Sequence, residues 1–315
     1  MAERIYIGID LGGTAIKTGI CNAEGQLLKV TEGPTEAEVG TERVLDNMAR
    51  YTRAIVDDSE FSWEQVEGIG TGIPGFMDFD EGFMHFSPNL PLTNVPIKHI
   101  LEQKLGKTVT INNDANVAAL GESWSGAGKG VASIVAYTLG TGVGGGIVID
   151  GRIVQGSSGM GGELGHMAVV PDLEAIQCGC GQMGCLETVA SATGIVRMAN
   201  DAVHRGDITR LSELPSISAK DVFDAARAGD ETALRIIKRA AFYLGKSIAT
   251  LSVIVNPNRF VIGGGVSKAG DVLLDPVREV FAKFAPAKAR EQVDIVAAQL
   301  GNDAGVIGAA GLCLR

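Results

Sequence analysis

Two glycine-rich turns, Asp10-Leu11-Gly12-Gly13-Thr14 and Leu139-Gly140-Thr141-Gly142-Val143-Gly144-Gly145-Gly146, each sit between runs of β-branched residues. Ile5 to Ile9 and Ile16 to Ile20 flank the first, and Ile134 to Thr138 and Ile147 to Ile149 flank the second. The pattern is strand, tight turn, strand, written twice in one chain. Glycine lets the backbone approach a ligand closely, and the freed N–H groups of such a turn form a nest for an anion. Two such hairpins suggest two related halves that meet one nucleotide. No helix opens directly after the first glycines, which sets the turn apart from a Rossmann fingerprint. Neither turn contains Gly-Lys-Ser/Thr, so neither is a Walker loop.

The 315 residues suffice for two domains with substantial cores. Residues 4–10, 15–21 and 26–33 read as a meander, and 41–57 carry helical spacing through Val44, Met48, Tyr51 and Ile55. Residues 66–73 read as a strand ending in Gly72-Ile73-Pro74-Gly75, 96–105 as a helix, 109–112 as a strand and 114–123 as a helix that marks the domain boundary. The second part opens with the hairpin around Gly140, and an irregular segment, 156–186, follows. Helices are expected over 187–206, 218–228 and 231–254, with Asn256-Pro257 ending the last. A short buried strand, 259–262, and helices at 269–285 and 303–313 complete an α/β protein with mixed sheets.

Acidic residues outnumber basic ones, 37 against 27, and no basic cluster stands out. That balance speaks against nucleic acid or an anionic membrane as a partner. The chain shows neither a signal peptide nor an apolar run of membrane-spanning length, so a soluble cytoplasmic protein is expected. Of the five cysteines, Cys178, Cys180 and Cys185 cluster, while Cys21 and Cys313 read as core. An odd count without an extracellular signal argues against a disulfide scaffold.

Each motif carries a chemical reading beside a plain one. Asp10 suits a water-shelled Mg²⁺, and the amides of Gly12, Gly13 and Thr14 suit phosphate oxygens; the plain reading is a β-turn. Lys17 adds charge near a phosphate or is a solvated strand residue. Gly263-Gly264-Gly265 follows a buried strand, either to face an adenosine or to let strand and helix pack closely. Asn112-Asn113-Asp114-Ala115-Asn116 lies at the carboxyl end of a strand, where ligands of α/β folds collect. Asp114 there is a candidate general base, or a helix N-cap. His166, Cys178, Cys180 and Cys185 are enough for a closed tetrahedral zinc site, or are unliganded side chains. A metal there would hold Glu163 and Glu187 in one small region.

Taken together these elements resemble the ROK family (repressors, open reading frames and kinases) of sugar kinases and regulators. The resemblance runs over nearly the whole chain. It is carried by both glycine turns, by Gly72-Ile73-Pro74-Gly75, Asn112 to Asn116 and Gly162-Glu163-Leu164-Gly165-His166, by the Cys178 to Glu187 segment, and by Val261 to Ser267. Ala118 to Glu122, Ser191-Ala192-Thr193-Gly194 and Gly301 to Gly308 look especially like the bacillus-type glucokinases of that family. The resemblance implies the actin-like ATPase (ribonuclease H-like) fold, two lobes with mixed sheets around a central cleft. A smaller N-terminal lobe, 1–115, and a larger lobe with the zinc segment, 116–302, are expected, with a helix at 303–315 packing back on the first lobe.

It also implies transfer of the ATP γ-phosphoryl group to the 6-hydroxyl of glucose, with Mg²⁺ and a structural Zn²⁺. Asp114 is then the base. Gly75, Asn89, Asn113, Asp114, Glu163, His166 and Glu187 hold the sugar. Asp10, Gly12, Gly13, Thr14, Gly140, Thr141 and Gly142 surround phosphates and Mg²⁺, and Gly263, Gly264 and Gly265 border adenosine. His166, Cys178, Cys180 and Cys185 hold zinc, and a homo-oligomer, dimer or tetramer, is expected. The alternatives are a kinase for mannose, fructose or N-acetylmannosamine, a polyphosphate donor, or a sugar-responsive repressor. The repressors carry an N-terminal helix-turn-helix, for which a phosphate loop at residue 10 leaves no room.

Overall fold

The first glycine turn closes a hairpin: β1 (Ile5–Leu11) and β2 (Ala15–Cys21) pair antiparallel, with Asp10 opposite Lys17. The computed structural model describes residues 3–314. β3 (Leu27–Pro34) continues the meander on β2, and α1 (Thr41–Asp57) leads to β4 (Val66–Ile73), parallel to β1. α1 buries Val44, Met48 and Ile55, the stripe its spacing predicts. Three short strands without a sequence signal follow. β5 (Phe76–Asp78), β6 (Phe83–Phe86) and β7 (Thr93–Val95) form an antiparallel sheet of their own, too brief to display a period. α2 (Ile97–Leu105), β8 (Val109–Asn113) and α3 (Asp114–Ser125) come next, β8 lying parallel to β4.

β9 (Ser133–Leu139), β10 (Val143–Ile149) and β11 (Arg152–Ile153) carry the second glycine turn. β10 starts at Val143, so Gly144, Gly145 and Gly146 lie within the strand and not in the turn. After the irregular segment come α4 (Glu187–Ala190), α5 (Ala192–His204), α6 (Ala219–Arg227) and α7 (Glu231–Ile254). The single helix expected over 187–206 is therefore two. Ser191 breaks it with extended backbone (ψ 165°), and its side chain caps α5 by accepting the Gly194 N–H. Serine offers the backbone this local alternative to a continuing helix. β12 (Arg259–Gly263) and α8 (Asp271–Phe284) fall where expected. α9 (Ala287–Gln292) and β13 (Asp294–Ala297) were not foreseen, being short, and α10 (Ala304–Gly311) follows.

The two larger sheets share one plan. Their orders are β3-β2-β1-β4-β8 and β11-β10-β9-β12-β13. In each, a central strand turns through glycines into its neighbour on one side and has parallel strands on the other, β4 and β8 in the first, β12 and β13 in the second. The duplicated motif thus reflects a duplicated topology.

Contacts divide the chain into two compact units. One contains the residues up to Val131, Gly146–Gly162 and the residues from Leu300 onward; the other contains Ala132–Gly145 and Glu163–Gln299. α3 and α10 both belong to the first unit, whereas the sequence division ran between residues 115 and 116. Alternation along β1 explains the first unit's packing. Ile5, Ile7, Ile9 and Leu11 face the cluster that holds Val44, Met48 and Ile55 of α1. Tyr6 packs on the other face with Val306, Ile307 and Ala310 of α10. A Cβ at Gly8 would strike the Val306 carbonyl, one at Gly70 the Ala309 carbonyl, and one at Gly308 the Val117 carbonyl. α10 therefore lies backbone against backbone on β1, β4 and α3, and all eight of its residues are buried.

Candidate active site

The same alternation puts Asp10 on the α10 side of β1. A Cβ at Gly305, in the first turn of α10, would run into the Asp10 carboxylate, so glycine there leaves the space it occupies. Burial foremost, and then the neighbouring Asp114 carboxylate, push Asp10 up to about 6, with Lys17 opposing. Among the described residues no donor hydrogen-bonds the Asp10 carboxylate. Lys17 Nζ donates instead to Asn302 O (2.8 Å) and Asp303 Oδ1 (3.1 Å), tying β2 to the approach to α10. It is neither simply solvated nor aimed at a ligand by itself.

β8 ends and α3 begins between Asn113 and Asp114, and here the capping question resolves. Asn113 is the N-cap: its Oδ1 accepts from Ala115 N (2.9 Å) and Asn116 N (3.3 Å). Asp114 is the first helical residue, and its carboxylate is not the cap. Burial pushes Asp114 above the ordinary carboxylate range, against the pull of first-turn N–H groups and the Asn113 side chain. Asn112 Oδ1 braces the turn by accepting from Asn113 N and Asn116 Nδ2.

The first glycine turn lies close by in the same unit: a Cβ on Gly13 would come within 3.6 Å of Asn89 O. Thr35 holds this turn from outside. Its hydroxyl donates to Gly12 O (2.7 Å) and its N–H to Thr14 O (3.0 Å). Gly75, with φ of 137°, fills the β4–β5 turn against the Phe86 carbonyl. The first unit thus brings Asp10, Gly12, Gly13, Thr14, Asn89, Asn113 and Asp114 into one neighbourhood.

The second unit assembles the metal candidates. His166, Cys178, Cys180 and Cys185 offer ligand atoms that all lie within 4.8 Å of one another. Cys180 Sγ and Cys185 Sγ are 3.7 Å apart, and Cys178 Sγ is 3.8 Å from His166 Nδ1. A tetrahedral zinc with its usual bond lengths has ligand–ligand edges of about 3.6–3.8 Å, which these two distances match, and the chemistry of the set, three thiols and an imidazole, suits that ion. Burial, then the two neighbouring thiols, push Cys185 up to about 12, an opposition to ionisation that a bound cation reverses. With Nδ1 on the cysteine side, His166 Nε2 lies 3.9 Å from Glu163 Oε2.

Glu187 stands between this cluster and the second glycine turn. Its Oε1 accepts from Cys178 Sγ (3.5 Å) and its Oε2 from Val143 N (2.9 Å). A Cβ on Gly142 would strike the same carboxylate, so glycine lets the turn lie against it. Gly264, with φ of 83°, packs on the backbone of Leu139, and this accounts for glycine there without a ligand. Gly265 faces open space, with nothing within 4 Å of where a Cβ would stand.

Three residues with no role assigned from sequence, Thr35, Ser191 and Thr193, organise the glycine turns. Ser191 had a readable signal, a serine at a helix start. The pairing of a lone threonine hydroxyl with a distant carbonyl leaves no local pattern.

The ROK family model matches residues 6–315 of this chain. A glucokinase of Halalkalibacterium halodurans is 44% identical over 312 residues, which are 98% of this chain and 94% of that protein. A glucokinase of Thermotoga maritima is 40% identical over 317 residues, 99% and 98% of the two chains. The crystal structure of a ROK family glucokinase from Streptomyces griseus in complex with glucose and AMPPNP superimposes with a TM-score of 0.79 at 35% identity, covering 98% of each chain. The mixed sheets described above are those of the actin-like ATPase fold shared with these ROK kinases.

Proposed function

This chain belongs to the ROK family, and on that premise we propose that it is an ATP-dependent glucokinase that makes glucose 6-phosphate. The observation that carries the chemistry is the Asp10–Asp114 pair. The two carboxylates, Asp10 near the end of β1 and Asp114 directly after β8, repel each other, and Asp10 has no hydrogen-bond donor of its own among the described residues. A pair so placed calls for a cation beside one carboxylate and a proton for the other. Asp10 would hold the Mg²⁺ of the nucleotide, and Asp114 would act as the base.

Asp114 takes the proton of the sugar 6-hydroxyl as that oxygen bonds to the γ-phosphorus. The bond from the γ-phosphorus to the β–γ bridging oxygen breaks, and ADP leaves. Gly75, Asn89, Asn113, Glu163, His166 and Glu187 are the residues this reading gives to the sugar hydroxyls. Asn113 has its Oδ1 committed to the helix cap, so its amide N–H groups are what it offers. The N–H groups of the two glycine turns receive phosphate oxygens, and Gly263, Gly264 and Gly265 border the adenosine. Bound Mg²⁺ supplies charge neutralisation at the phosphates, and bound zinc supplies rigidity to the segment from Glu163 to Glu187. Phosphoryl transfer rests mainly on positioning and charge, which suits a site built from backbone amides and one base.

No helix of the described residues is long and apolar enough to cross a membrane. The proposal includes a cytoplasmic homo-oligomer, dimer or tetramer, which light scattering would report. ADP release measured over glucose, mannose, fructose and N-acetylmannosamine, with ATP and then polyphosphate as donor, tests the central reading. Turnover with glucose and ATP at the highest kcat/KM is expected; a higher value for another sugar or donor would replace it.

A further inference from the structure

We infer that Thr35 and Thr193 are positioning residues that hold the two glycine turns with their N–H groups open to phosphate. This rests on the phosphate reading of those turns and gives the Ser191–Gly194 stretch a role.

The two turns are wired alike. In the second, Gly140 N donates to Gly142 O (3.0 Å), Ala192 N donates to Gly140 O (2.8 Å), and Thr193 Oγ1 donates to Thr141 O (2.7 Å). Glu187 takes the Val143 N–H. All three carbonyl oxygens of Gly140, Thr141 and Gly142 are thus bonded within the second unit. Among the described residues, the N–H groups of Thr141 and Gly142 donate to nothing. In the first turn, Gly12 N donates to Ala15 O (2.9 Å), while the Thr35 hydroxyl and N–H take the carbonyls of Gly12 and Thr14. There the N–H groups of Gly13 and Thr14 are the ones left over. Each turn keeps two successive open N–H groups, the arrangement that binds an anion.

The physical need is specific. A peptide carbonyl turned toward a phosphate repels it, and a glycine turn is free enough to flip its peptides. A hydroxyl that engages the carbonyl fixes the peptide plane and so fixes the direction of the N–H on its far side. At Thr193 the proton order follows from the acceptors. A carbonyl only accepts, so the Thr193 hydroxyl hydrogen goes to Thr141 O. Ser191 Oγ, 2.9 Å away, must then donate to Thr193, while it accepts Gly194 N–H at 2.9 Å. The chain Gly194 N–H to Ser191 to Thr193 to Thr141 runs in one direction, so each bond polarises the next. It begins at the N-terminal turn of α5 and ends on the phosphate turn.

Thr193→Val keeps the shape and removes the donor, and Thr193→Ser keeps the donor. A lost neutral hydrogen bond corresponds to roughly a 3–10-fold effect. The expected result for Thr193→Val is a KM for Mg·ATP and a Kd for ADP raised by about that factor. The glucose KM should stay within twofold and thermal stability nearly unchanged, with Thr193→Ser near the parent. Thr35→Val should act in the same direction. Thr35 is fully buried, so its nucleotide binding is read against its melting temperature. Gly140→Ala tests the phosphate reading separately, because no atom of the described residues lies within 4 Å of its added methyl group and the fold itself accommodates it. Weakened ATP use in Gly140→Ala together with parental ATP and ADP constants in Thr193→Val would overturn the clamp and leave the phosphate reading standing. Unchanged ATP use in Gly140→Ala would remove the phosphate reading of this turn, and the clamp with it.

Discussion

Replacing Asp10 by asparagine should stabilise the ligand-free protein at neutral pH while crippling its use of Mg·ATP. The Asp10 carboxyl, ordinarily at 3.8, lies at about 6 in the folded chain, raised by burial and then by Asp114. Folding therefore works against ionisation of this group. In the window between about pH 4 and pH 6 the folded state holds the proton that the unfolded state has lost. Stability must fall as pH rises through that window and then level off. A gap of about two pKa units corresponds to roughly 3 kcal/mol at about 1.4 kcal/mol per unit. Water reaches part of the carboxylate, which brings the expected gain for Asp10→Asn to about 1–2 kcal/mol, or about 1.5–3 °C in Tm. The assay is thermal unfolding in chelator from pH 4 to pH 8, parent against variant. The curves should meet near pH 4 and separate by pH 6.5, with the variant above. Excess Mg²⁺ and a non-hydrolysable ATP analogue should reverse the order, because only the parent offers the cation a carboxylate. A variant less stable than the parent at pH 7.5 without ligand would refute the argument that Asp10 awaits a positive charge.

Three further outcomes follow from other residues. Asp114→Asn should lower kcat by about 10²–10⁴-fold, the usual loss for a missing base, with no loss of Tm, since Asn113 and not Asp114 caps α3; steady-state kinetics beside calorimetry check this. Cys180→Ser should lower zinc content below one per chain by elemental analysis; zinc-free but fully active parent protein would end the structural-zinc reading. Glu122→Ala should lower Tm by several degrees, because Ala127 N and Leu300 N, 2.7 and 2.8 Å from its carboxylate, lose their acceptor at about 1–3 kcal/mol each; an unchanged denaturation midpoint would show that water replaces it.

What could be read from sequence was what repeats locally. The hairpins around Gly12 and Gly140, the stripe of α1 and the long α7 all carry periods of two or 3.6 residues, and the cysteines lie within one short segment. β5, β6 and β7 are too short for a period. The break at Ser191 has a local signal, a serine at a helix start, but it falls inside a run, 187–206, whose spacing reads as one helix. Whether Asn113 or Asp114 caps α3 turned on one residue of register, which composition does not encode. The allocation of α3, Gly146–Gly162 and α10 to one unit arises from carbonyls pressed against glycines far apart in sequence. For the same reason Thr35 and Thr193, conspicuous in three dimensions, are ordinary threonines on paper.

The seat of α10 on β1 and β4 has a consequence for the order of assembly. In sequence, every segment of the second unit comes after those strands and before the helix that covers them. On a growing chain, the face of the sheet that carries Gly8 and Gly70 has only α3, beside Gly72, to cover it until residues 304–311 emerge, by which time the second unit has all its pieces and can collapse by itself. At equilibrium the long detour costs little, because closure entropy rises only slowly with length. In time it costs more, since contacts so distant in sequence form late. The lobe that is written first is thus the lobe that is finished last, and until then the part of its sheet that α10 covers is open to misassembly.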